Sequence, residues 1–74
     1  MRVPYRKKLG VKVRTVREKL GWSQETLAER TGLHRTYISG IERGARNPTL
    51  SVLLKLAAGL RVPAGELIDF SGNS

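Results

Sequence analysis

The sequence predicts an all-α fold, a compact five-helix domain, on three observations. Apolar residues recur at intervals of three and four along most of the chain, the period of a helix with one buried face. Glycines and capping residues cut these runs into short pieces. No run alternates apolar and polar residues for long enough to suggest a sheet, and there is no internal repeat or low-complexity segment.

Each element follows from these signals. Residues 1–8, MRVPYRKK, show no helical period and include Pro4, which predicts a flexible basic arm contributing general electrostatic attraction. Leu9, Val13, Val16 and Leu20 share one face of a first helix, ended by Gly21. Ser23 caps a second helix from Gln24 to Thr31, with Trp22 and Leu27 spaced as a hydrophobic staple and Gly32 as its stop. A third helix runs from Arg35 to Arg43. Leu33 and Ile38 repeat the staple, His34 stands at the cap position, and Gly44 ends the helix. Pro48 disfavours helix at Asn47. Thr49 caps a fourth helix, Leu50 to about Ala58, with Leu50, Leu53, Leu54, Ala57 and Leu60 on its core face and Gly59 breaking it. Pro63 suits the first turn of a short fifth helix reaching Asp69. The expected organisation is an arm at 1–8, a domain at 9–70 and a polar tail, SGNS, at 71–74.

Composition narrows the function. The chain has 74 residues and a net charge of +8, with a pI near 10.9. Eight Lys/Arg and one Glu fall in residues 1–19, four and three in 20–47, and two and two in 48–74. A surplus of this kind suits a polyanion met by the N-terminal half. The absence of cysteine excludes disulfides and thiolate metal sites, and a single histidine supports no imidazole cluster, so no metal and no cofactor is expected. The six carboxylates are scattered, no acid–base pair or nucleophile is evident, and no catalytic residue is nominated: the chain does not read as an enzyme. No segment approaches the ~20 apolar residues of a membrane span, and no apolar run follows the basic start. The expected location is the cytoplasm, on the nucleoid, with no membrane partner.

The informative stretch is QETLAERTGLHRTYISGIER, Gln24 to Arg43. Two short helices joined by a glycine-containing turn make a helix-turn-helix. Ala28 is small enough for close helix approach, and Leu27, Leu33, Ile38 and Ile41 point inward. A helical wheel puts Ile38 and Ile41 on the buried side of the third helix. Arg35, Thr36, Ser39, Gly40 and Arg43 fall on the outward side, flanked by Tyr37. Arginine can bond guanine O6 and N7 in the major groove, and threonine offers a hydroxyl and a methyl to a base edge. On an isolated helix such a face is ordinary solvated surface. In a helix-turn-helix of this charge it is a reading face. Gly40 raises a separate question, because a mid-helix glycine costs roughly 0.5–1 kcal/mol against alanine. The wheel suggests that it thins the helix for closer approach to DNA.

These residues carry a resemblance. Gln24–Arg43, continuing through IERGARNPTLSVLLKLAAGL to Leu67, resembles the DNA-binding domains of the Cro/repressor-type (XRE) helix-turn-helix family, and RTYISGIERGARN is similar to the controller proteins of restriction–modification systems. The resemblance implies a lambda repressor-like fold and a sequence-specific, double-stranded DNA-binding transcriptional regulator acting as a homodimer. It implies base reading by Arg35 and Thr36 and DNA contact by Tyr37 and Ser39; the wheel adds Ser39 and Gly40 to the expected base-reading face. It implies phosphate contacts by Gln24, Arg43, Arg46 and Asn47 and an ion pair of Arg17 with Glu42, while Ser23 and His34, at the cap positions, are expected to flank the DNA backbone. Controller proteins often carry aspartate at the His34 position. Histidine there is a poorer N-cap that could donate to a phosphate, in which case binding would strengthen at lower pH. Val52, Leu56, Val62, Ile68 and Phe70 supply apolar area beyond the needs of the core and are the expected dimer surface. Activation would add RNA polymerase as a partner. The competing reading is a DNA-binding antitoxin or a helix-turn-helix protein-interaction adaptor, against which the intact polar face of Arg35 and Arg43 argues.

Overall fold

The computed structural model describes residues 4–70, so residues 1–3 of the expected arm and the tail at 71–74 lie outside the described residues. Five helices follow in order: α1 Tyr5–Lys19, α2 Gln24–Thr31, α3 Arg35–Glu42, α4 Leu50–Leu60 and α5 Ala64–Leu67. No strand occurs among the described residues. α3 packs against α1 and α2, α2 also packs against α4, and α4 carries α5. Val13, Leu27, Ile38, Ile41, Leu56 and Leu67 are wholly shielded from solvent, so every helix gives at least one residue to one core.

The expected arm needs correcting. Residues 5–8 are helical, with Pro4 before the first turn and its carbonyl accepting from the Lys7 and Lys8 amides at 3.0 and 3.2 Å. This turn holds basic residues and no acid, the wrong charge for a helix N-terminus. Tertiary contacts offset that cost. Arg6 Nε donates to the Gly44 carbonyl at 2.8 Å. Tyr5 stacks on Phe70 with ring centroids 5.5 Å apart, and the Lys8 ammonium lies 5.7 and 5.9 Å from the two ring centres.

α4 differs from expectation in register and in length. Its buried side is Leu53, Leu56, Ala57 and Leu60, whereas Leu50 is 71% exposed and Leu54 52%. The helix is apolar nearly all round, so its sequence offers two competing faces, and packing against α2 and α5 selects between them. Leu56 therefore belongs to the protomer core and cannot serve a dimer surface. Phe70 is committed to Tyr5, and Val52 and Val62 pack in part against the core, while Ile68 stays half exposed. Gly59 does not break α4. It lies inside the helix, where a Cβ would stand 2.5 Å from Thr31 Cγ2, and its bareness lets α4 approach the end of α2. The chain reverses instead at Arg61, with φ 62, and Pro63 precedes α5 as its N-cap residue.

Candidate nucleic-acid interface

The helix-turn-helix is built from local bonds. Ser23 Oγ accepts from the Thr26 amide at 3.1 Å and opens α2. Gly32, with φ 75, ends it by donating its N–H to the Ala28 carbonyl at 2.8 Å, a left-handed turn that side chains disfavour. Thr31 Oγ1 donates to the Leu27 carbonyl at 2.8 Å and accepts from the Leu33 amide at 3.3 Å, which ties the turn to α2. Leu33 packs against the core, and α3 departs from His34.

α3 presents two faces. Ile38 and Ile41 are fully buried, as the wheel requires. Arg35 and Thr36 are exposed in its first turn, Ser39 and Tyr37 are partly buried beside them, and Arg43 is exposed at its C-cap. His34 is exposed in extended conformation, and its side chain makes no capping bond to α3. Arg46 and Asn47 are exposed on the segment that follows.

Gly40 is not on the open face. It is buried, and a Cβ there would stand 2.7 Å from Arg46 Cγ. The Arg46 stem lies over Gly40, and its guanidinium carbon sits 5.7 Å from the centre of the Tyr37 ring. The direct base-reading role expected of Gly40 is therefore replaced by another. The glycine forms the floor on which Arg46 rests.

The frame beneath α3 is ionic. Arg17 Nε and Nη2 donate to the two Glu42 carboxylate oxygens at 2.6 and 2.9 Å, a bidentate pair. Arg17 Nη1 donates to the Trp22 carbonyl at 2.7 Å. Both side chains are nearly shielded, at 10% and 4% exposure. Hydrogen bonding to Glu42, opposed by burial and aided by the carboxylate charge, raises the pKa of Arg17 above its ordinary value. Gln24 Nε2 donates to Glu42 Oε1 at 3.0 Å, so its amide belongs to this network before it meets any ligand. The expected Arg17–Glu42 pair is thus in place, with Gln24 as an added member joining α1, α2 and α3.

Three neighbours of the site, Gly10, Arg6 and Lys7, have no contact with it in the sequence reading. Gly10 lets α1 close on the end of α3: a Cβ there would meet the Ile41 carbonyl oxygen and come within 2.6 Å of that of Glu42. Arg6 bonds the Gly44 carbonyl, and a Cβ on Gly44 would lie 2.5 Å from Lys7 Cγ. A glycine in the middle of α1, as costly there as at Gly40, is the signal that could have pointed to this contact.

The comparisons agree with this geometry. The HTH_3 family, described as helix-turn-helix, matches residues 13–67. The chain is 49% identical over 63 residues to the control protein C.BamHI of Bacillus amyloliquefaciens, covering 84% of this chain and 78% of that one. Its fold is similar to that of the restriction–modification controller protein C.AhdI from Aeromonas hydrophila, with a TM-score of 0.82, 47% identity, and 84% of this chain and 94% of the other covered. It is also similar, with a TM-score of 0.83 and 35% identity over 93% of this chain and 91% of the other, to the controller protein C.Esp1396I, solved as a tetramer with its natural 35 base-pair operator. With this match over most of its length, its five helices and its α2–α3 geometry, the chain belongs to the HTH_3 helix-turn-helix family of Cro/repressor (XRE) type.

Proposed function

We propose that this protein is a transcriptional regulator of the restriction–modification controller kind, binding a palindromic DNA operator as a homodimer with α3 in the major groove. The observation that carries this reading is the exposed pair Arg35 and Thr36 in the first turn of α3, a helix fixed from behind by Arg17, Glu42 and Gln24. A rigid helix holds its donors in register with a base edge, and Arg35 suits guanine. Arg43, Arg46 and Asn47 follow along the phosphates, where they set orientation and carry no sequence information. Ser23, Gln24 and His34 lie at the starts of α2 and α3, where backbone amides and the positive end of the dipole favour a phosphate. Leu50, Leu54 and Ile68 form the apolar surface for a second copy, which would set two reading helices ~34 Å apart, one DNA turn. Repression follows from occupancy of the operator. Activation would add a contact with RNA polymerase. The working location is the cytoplasm, on the nucleoid.

Selection from random DNA by the purified protein tests the reading. The expected result is a palindromic site with affinity falling by ~0.9 log units per neutralised phosphate against log salt. Arg35→Ala should cost about 1–3 kcal/mol and relax one base position in each half-site. Equal affinity for selected and random DNA would end the proposal.

A further inference from the structure

We propose that Arg6 is a positioning residue for the loop that meets the DNA backbone, an inference that rests on the DNA-binding reading of α3. The Gly44–Ala45 peptide unit is held at both of its polar ends. Its carbonyl accepts from Arg6 Nε at 2.8 Å, and its N–H, on Ala45, donates to the Gly40 carbonyl at 2.8 Å. The next residue is Arg46, whose stem lies over Gly40 and whose guanidinium faces Tyr37. Fixing this peptide plane narrows where Arg46, at the far end of the next peptide unit, leaves the backbone.

The contact is built on both sides. Gly44 has φ 75, and its α-carbon faces the Lys7 stem so closely that no Cβ fits. Gly10 brings α1 down on the last carbonyls of α3. α1 therefore closes on the end of α3 at Gly10 and on the loop at Gly44, and Arg6 supplies the directional bond at the second contact. Arg6 acts through Arg46 and Asn47 as a part with a fixed place. A basic residue that supplied only general attraction could be replaced by any other positive charge.

The test compares Arg6→Ala with Lys12→Ala, which removes the same charge from the same helix. Binding is measured on the selected operator, and amide exchange is measured by NMR on the free protein. Arg6→Ala should weaken operator binding about tenfold and Lys12→Ala less than about twofold. In an Arg46→Ala background the Arg6→Ala loss should shrink to less than about twofold, because both substitutions remove the same contact. The Ala45 amide should exchange about tenfold faster in Arg6→Ala, while amides of α4 keep their protection. Unchanged exchange at Ala45 would overturn the clamp whatever the DNA result. Equal losses for Arg6→Ala and Lys12→Ala, or losses that add with Arg46→Ala, would leave Arg6 as charge only. Failure of the wild type to prefer the operator over random DNA would instead overturn the functional reading, with the exchange result still reporting on the clamp.

Discussion

At Gly40 a missing side chain makes room for another. Arg46 occupies the space, and its position over the Tyr37 ring depends on that floor remaining flat. Alanine at position 40 favours the helix by about 0.5–1 kcal/mol. Its Cβ would collide with Arg46 Cγ, and Arg46, which is exposed, can swing into solvent at little cost. Gly40→Ala should therefore raise the melting temperature by a few degrees, at about 4–8 °C per kcal/mol for a domain of this size. It should also weaken operator binding. The displaced arginine makes a further prediction: in an Arg46→Ala background, Gly40→Ala should cost no affinity. Calorimetry and fluorescence anisotropy on the four proteins check this. A loss of affinity that persists without Arg46 would mean that a side chain at position 40 meets the DNA itself, as the helical wheel suggested.

At the scale of elements, α3 stands or falls with the ion pair beneath it. Arg17→Met leaves the Glu42 carboxylate nearly shielded with Gln24 as its remaining described partner, and breaking a buried pair from one side costs about 3–5 kcal/mol. At roughly 0.05–0.15 kcal/mol per residue, 74 residues hold only about 4–11 kcal/mol in total, so the single variant should melt many degrees below wild type. Arg17→Met with Glu42→Met removes both charges and should recover more than half of the loss, as read by urea denaturation. The arginine's pKa is raised on folding, so its contribution is complete below the ordinary arginine value and is lost only as pH climbs through the raised one. The gap between wild type and the Arg17→Met, Glu42→Met double variant should therefore stay level from pH 6 to 9. A gap that narrows across that range would contradict the assignment. The pair was legible because its residue types and its place beside the third helix's buried side fit a known family pattern. The first turn of α1 was not. Residues 5–8 have no apolar period, and what makes them helical is an arginine bonding a carbonyl 38 residues away and a ring stacked on Phe70. No local pattern encodes such contacts. The α4 face was ambiguous for a different reason: leucines on both sides leave the choice to packing partners that a single helix does not specify.

For the whole molecule, the proposed homodimer would put the charge and the exposed leucines to one use. A reading helix of eight residues touches few bases, and one domain of this size cannot specify a site among a genome's competitors. Two copies can, because linking two half-site contacts raises apparent affinity by about 10²–10⁴ without any new base contact. In that proposal the pairing surface is the exposed set of Leu50 and Leu54, one helical turn apart on α4, with Ile68 just beyond α5. Leu54 is exposed in the single chain, so a charge there should leave the fold intact while placing two carboxylates against each other across a two-fold axis. Leu54→Glu is expected to melt within a few degrees of wild type, to sediment as a monomer at micromolar concentration, and to bind the full palindrome about 100-fold more weakly. Its affinity for an isolated half-site should match that of wild type, since Arg35 and Thr36 are untouched. If Leu54→Glu sediments as a dimer, the partner surface lies elsewhere. If it becomes a monomer yet binds the palindrome as tightly as wild type, the operator is read by one domain at a time and the two-fold reading is wrong.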